Sequence, residues 1–147
     1  MKVSTRADYA SRALLSLALR GEEDAPTSVR DLAERTGLPQ PYLEQILLSL
    51  KGAGLVRSKR GVGGGYTLAR SAAEITLGQI VACVDGPIAP VAALPHENGA
   101  CAHEGQCALL AVWMDVNEHI RAHLDTVTLE DMVQRARGFL APAEDRE

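Results

Sequence analysis

Six consecutive residues, Arg60-Gly61-Val62-Gly63-Gly64-Gly65, constrain this chain more than any other feature. Glycine reaches backbone conformations closed to other residues, so a run this rich in it marks a tight turn. Before the run, Leu55-Val56-Arg57-Ser58-Lys59 alternates like a half-buried strand, and after it Tyr66-Thr67-Leu68 reads as the returning strand. The segment is a hairpin with a thin tip. Glycine-rich turns also cradle nucleotide phosphates, but that geometry needs a strand, then glycines, then a helix N-terminus. Here the glycines lie between two strands with no Gly-Lys-Ser/Thr.

Three helices precede the hairpin. Ser4 or Thr5 can cap a first helix whose apolar positions Ala10, Ala13, Leu14, Leu17 and Ala18 recur at three- and four-residue spacing until Gly21. The acidic turn Glu22-Glu23-Asp24-Ala25-Pro26 follows, and Thr27 or Ser28 caps a short helix, Val29 to Arg35, stopped by Gly37. Pro39 and Pro41 suit the opening turn of a third, running to about Lys51 with Leu43, Ile46, Leu47 and Leu50 inward. Two short helices joined by a glycine turn are the pattern of a helix-turn-helix, and a hairpin added to it makes a winged helix. The predicted fold is mainly α with a small β-hairpin wing.

The charge distribution supports a nucleic-acid partner only once it is divided. The 147 residues carry 15 Lys+Arg and 19 Asp+Glu, a net of −4 that by itself argues against DNA. Residues 1–70, however, hold eleven bases and seven acids, a net of +4, while residues 71–147 hold four bases and twelve acids, a net of −8. Within 51–70, Lys51, Arg57, Lys59, Arg60 and Arg70 face no acid at all. Gln40 and Gln45 can donate and accept at adenine edges, Glu44 can accept from cytosine, and Arg57, Lys59 and Arg60 supply charge for phosphates or a minor groove.

After the hairpin, Thr76 caps a helix from Leu77 to Val84, and 87–104 reads as one loop rich in proline and small residues. A stripe then runs over four turns: Leu109, Val112, Trp113, Val116, Ile120 and Leu124. It packs within its own chain or, as favoured here, against a second copy, because the small winged domain cannot bury it whole. A last short helix opens at Thr128-Leu129-Glu130-Asp131, and 141–147 reads as a frayed tail. The expected division is therefore a DNA-binding domain over 1–75, a sensor loop and dimerisation helix over 76–140, and the tail. No apolar run is long enough to span a bilayer and the N-terminus is not a signal peptide, so no membrane partner and a cytoplasmic location are expected. An enzyme built on the cysteines and a histidine is disfavoured, since no nucleophile elbow or oxyanion donor is visible.

Five segments together carry a family resemblance. They are Val29-Arg30-Asp31-Leu32-Ala33-Glu34-Arg35-Thr36-Gly37, Pro41-Tyr42-Leu43-Glu44-Gln45, Gly54-Leu55-Val56, Arg60-Gly61-Val62-Gly63-Gly64-Gly65-Tyr66 and Ile75-Thr76-Leu77. Over about residues 1–137 the chain resembles the winged-helix transcription regulators of the IscR, NsrR and CymR type. The resemblance implies a homodimer, a repressor in the sense that operator binding blocks transcription, on a palindromic operator of double-stranded DNA. Gln40, Tyr42, Glu44 and Gln45 would then serve the major groove, Arg57, Lys59, Arg60, Gly63, Gly64 and Tyr66 the wing at the neighbouring minor groove, and Ser28 would be a further DNA contact.

The same resemblance bears on the cysteines. Members that sense through a cluster carry three loop cysteines with five residues between neighbours, and Cys101 and Cys107 match the last two. Pro95 stands in the place of the first, and Leu110 in the place of a histidine ligand. Asp8 matches an aspartate that completes the site from the partner chain in NsrR; His96, His103 and Glu104 are further candidates. Four readings stay open: a [2Fe-2S] or [4Fe-4S] cluster on Cys101, Cys107 and other ligands; a zinc site from His96, Cys101, His103 and Cys107; a thiol switch between Cys101 and Cys107; and a loop without a cofactor. In the last two, control falls to thiol oxidation or to a protein partner, as in CymR. Cys83, on the apolar helix, reads as a buried structural thiol.

Overall fold

The computed structural model describes residues 3–21, 25–87 and 104–140. Helix α1 covers Thr5–Leu19, α2 Val29–Thr36 and α3 Gln40–Gly52; strands β1, Val56–Lys59, and β2, Gly65–Leu68, form the hairpin; α4 covers Leu77–Asp85, α5 Gln106–Thr126 and α6 Leu129–Leu140. This is a winged helix, mainly helical, with α2 and α3 as the helix-turn-helix.

Local chemistry accounts for the boundaries. The Ser4 hydroxyl accepts the Ala7 N–H at 2.9 Å and starts α1, leaving Thr5 inside the helix. Ser28, not Thr27, caps α2, accepting the Asp31 N–H at 3.1 Å. α2 closes on Gly37 in the left-handed region, and α3 opens with Pro41 in its first turn, where a missing N–H costs nothing. Thr76 and Gln79 form a reciprocal cap at the start of α4.

Thr27 has a different task. It is buried and makes a one-residue bridge to Tyr66, its N–H donating to the Tyr66 carbonyl at 3.0 Å and its carbonyl accepting the Tyr66 N–H at 2.8 Å. The wing is thereby fastened to the start of α2. The hairpin register pairs Val56 with Leu68, Arg57 with Thr67, Ser58 with Tyr66 and Lys59 with Gly65. Gly65 has a φ of 150°, and a Cβ there would run into the Thr27 carbonyl, so the bridge and the glycine require one another. Leu55, expected to open the strand, precedes it: it is buried, donates to the Leu50 carbonyl and accepts from the Ala69 N–H, closing the base of the wing.

One continuous core joins these parts. Leu14 and Leu17 of α1, Leu32 of α2, and Leu43, Ile46, Leu47 and Leu50 of α3 meet Ile75, Ile80, Leu129 and Val133. The start of α4 and the start of α6 are tied by the Thr76–Thr128 bridge, in which Leu77 N–H donates to Val127 at 2.8 Å and Leu129 N–H to Ile75 at 2.7 Å. Helix α5 is anchored near its far end, where Gly78 of α4 lies directly against Asp125. None of its residues is buried, and Leu109, Val112, Trp113, Met114 and Val116 all stand exposed, while Ile120 and Leu124 are half-buried. Most of the expected loop (88–103) and the tail (141–147) lie outside the described residues.

Gly65→Ala should lower stability by about 2 kcal/mol, because it displaces the Thr27 bridge as well as straining the backbone. Gly52→Ala, at the end of α3 with open space around it, should cost nothing or stabilise slightly. Urea unfolding of the two variants beside the parent checks both.

Candidate nucleic-acid interface

Helix α3 is two-sided because its buried positions recur on one stripe. Leu43, Ile46, Leu47 and Leu50 anchor it, and Gln40, Tyr42, Glu44 and Gln45 consequently stand exposed at its leading end. Tyr42 is 62% exposed, an unusual position for an aromatic ring in a free protein. Gln40 donates from Nε2 to Glu44 Oε1 at 3.2 Å, one turn along the helix. The two groups orient each other before any base is met, and each keeps further donor or acceptor capacity.

The wing follows α3 directly and packs its first strand against that helix. Its three cations are not equivalent. The Arg57 guanidinium donates to the Ala69 carbonyl at 3.0 Å and is held at the base of the hairpin. Lys59 and Arg60 stand exposed toward the tip. Gly63 is exposed at the tip, and Gly64 folds beneath it, its N–H donating to the Gly61 carbonyl at 3.0 Å; a Cβ on Gly64 would collide with the Lys59 carbonyl. Val62 is fully exposed between them. Sequence reasoning passed over it, although a lone apolar side chain among tip glycines is the kind of wedge minor-groove proteins press against a base step.

Two candidate contacts have structural work of their own. The Ser28 hydroxyl is engaged in the α2 cap. Tyr66 pairs through its backbone with Thr27 and Ser58, and its half-buried ring packs on the core.

The candidate ligands are scattered. Asp8, at the start of α1, forms an ion pair with Arg12 at 2.9 Å. Cys107, the second residue of α5, is disulfide-bonded, and Glu104 is exposed. Cys101, His96 and His103 lie outside the described residues. Among the described residues no three potential metal ligands come together, so their donor set does not by itself fit a cluster or zinc site. Cys83 is a free thiol, half-buried against the core, donating to the Ser49 carbonyl at 3.2 Å; burial pushes its pKa up, against a smaller opposing pull from Arg6. It behaves as packing, not as a ligand.

Known proteins share this arrangement. The family model Rrf2, described as an iron-dependent transcriptional regulator, matches residues 3–135. The transcriptional regulator CymR of Bacillus subtilis is 36% identical over 138 residues, covering 94% of each chain. IscR of Klebsiella pneumoniae is 35% identical over 133 residues, covering 90% of this chain and 80% of its own. Among solved structures, B. subtilis CymR superposes with a TM-score of 0.76 at 35% identity over 92% of this chain and 98% of its own. T. potens IscR does so with a TM-score of 0.75 at 33% identity, over 97% and 93%. These relatives are regulators, not enzymes.

Ser28→Ala should cost about 1 kcal/mol of folding stability through the lost cap, without altering how DNA affinity falls with salt. An unchanged unfolding midpoint together with a flattened salt slope would make Ser28 a phosphate contact instead.

Proposed function

The chain belongs to the Rrf2 family of transcriptional regulators, and we propose that it acts in the cytoplasm as a homodimer on a palindromic operator. Residues 1–75 read DNA, and residues 76–140 pair the subunits and carry the signal. The observation that supports this most is the two-sidedness of α3: a fully anchored inner face and an exposed polar front of Gln40, Tyr42, Glu44 and Gln45, followed at once by a wing bearing Lys59 and Arg60. In the proposed complex that front enters a major groove, and Lys59, Arg60 and the thin Gly63-Gly64 tip lie along the adjoining minor groove.

Dimerisation rests on α5. Each large apolar side chain removed from water contributes about 1.5–3 kcal/mol, and Leu109, Val112, Trp113, Met114 and Val116 present a run of them that the rest of their own chain does not cover. Covering this stripe with its symmetry copy sets the spacing of the two reading helices.

The signal enters at the root of α5. Cys101 and Cys107 form a dithiol that closes to a disulfide, passing two electrons and two protons to an oxidant such as a peroxide. The disulfide at Cys107 favours this reading. A cluster held by Cys101 and Cys107 with Asp8 of the partner subunit, His96 or His103 is the second reading, favoured by the likeness to IscR. Iron and sulfide analysis of anaerobically purified protein, with and without reconstitution, separates the two.

Arg60→Ala should weaken binding to every duplex and reduce the log-log salt slope by about 1. Glu44→Ala should relax base preference at one position of each half-site, where a good direct contact is worth about 1–3 kcal/mol. Equal loss on specific and random duplexes for Glu44→Ala would count against base readout. Trp113→Glu should give a folded monomer in sedimentation equilibrium and lose operator binding.

A further inference from the structure

Between the root of the wing and α6 opens a cleft of about 660 Å³, within the size range of small-molecule sites. Its wall includes Leu17 and Ala18 of α1, Leu68 of β2 and Val133 of α6, the apolar part of a lining that is mostly polar. Four arginines from distant points of the chain line the same space: Arg20, Arg57, Arg70 and Arg137. Among the described residues one carboxylate, Glu130, lines the cleft with them, and it accepts a hydrogen bond from Gln134 at 2.7 Å.

Glu74 feels the charge of Arg70, but the direct hydrogen bonds of these cations among the described residues go to neutral groups. Arg20 donates to the Thr27 hydroxyl at 2.9 Å, Arg57 to the Ala69 carbonyl at 3.0 Å and Arg70 to the Gln79 side-chain carbonyl at 3.3 Å, all neutral acceptors. None of the four takes part in an ion pair among the described residues, whereas Arg12, Arg30 and Arg121 do. A guanidinium fork has five donors, so each anchored arginine is positioned by one bond and keeps others for an anion. Like charges gathered around one concavity repel each other until an anion enters. The cleft also reaches Thr27, which is 1% exposed, a depth that suits a small molecule better than the phosphates of a duplex lying across the surface.

We propose that this cleft binds a small organic anion, a short carbon body bearing two or more carboxylate or phosphate groups, with Arg20, Arg57, Arg70 and Arg137 as its ligands. The bound anion bridges the root of the wing, through Arg57, to α6, through Arg137. The site stands independently of the DNA reading, and only an effect on operator affinity would rest on it.

The test uses the full chain, isotopically labelled, titrated with citrate and with fructose 1,6-bisphosphate at constant ionic strength, with glucose as the neutral control. Saturable amide shifts confined to residues around Ala18, Thr67, Ala72 and Val133 are expected for both anions and not for glucose. Arg137→Gln should weaken binding by about fivefold or more, and Glu130→Gln, which removes the one carboxylate that the described residues bring to the lining, should tighten it. Melting curves establish that both variants are folded. Absence of saturable binding, shifts spread over the basic surface, or an affinity that neither variant changes would overturn the proposal. So would an Arg137→Gln variant that loses affinity for all duplexes while citrate binds nowhere, since the guanidinium would then be a DNA phosphate contact.

Discussion

The alanine face of α1 is the constraint on which the rest of the molecule depends. Ala7, Ala10 and Ala13 are at most 1% exposed, and α2, α3, α4 and α6 all pack against this one helix. Methyl side chains let neighbouring backbones approach closely, and an interior packed at crystal-like density has no room for larger ones. Leu14 and Leu17 fill the gaps between the surrounding helices. Because α1 sits at the centre, its position fixes the angle at which α3 presents its polar front and the seat that α6 takes beside the wing. The wing is joined to this frame by the Thr27–Tyr66 bridge, so its tip can be thin and glycine-rich while its root stays fixed.

Periodicity made the helices legible in the sequence. The buried positions on α3 follow the expected residues one for one and those on α1 add only Ala7 to them, and the glycine run between two short apolar segments located the hairpin. Features built from single residues were not legible. Thr27 forms a strand of one residue, and nothing in its neighbours distinguishes that from a helix cap; the choice between Thr27 and Ser28 was settled by burial, not by propensity. The stripe on α5 was visible as spacing, but spacing does not say whether neighbouring elements cover it, and Met114 joined the exposed surface from outside the ideal register. The arginine cleft was beyond reach, since its members at positions 20, 57, 70 and 137 meet only through tertiary packing.

The net charge of −4 conceals the electrical layout that makes the function workable. Bases gather on the reading half, where phosphates approach, and acids on the half that carries α5 and α6. In the proposed complex such a distribution would favour approach to DNA in one orientation and keep α5 and α6 away from the duplex. In the proposed dimer, the placement of Cys107 at the first turn of α5 would join sensing to pairing: a change in bonding at that sulfur would act on the helix proposed to set the distance between two reading heads. Cys83, half-buried behind α3 with a raised pKa, stands apart from that chemistry.

The central claim is that two copies, paired through α5, read two symmetry-related half-sites with α3. Hydroxyl-radical footprinting on duplexes selected by the protein from a random library tests it most directly. The account predicts two protected half-sites related by a dyad, with centres about 10 base pairs apart or a multiple of that distance. A single asymmetric footprint, or selection that enriches no sequence at all, would contradict it.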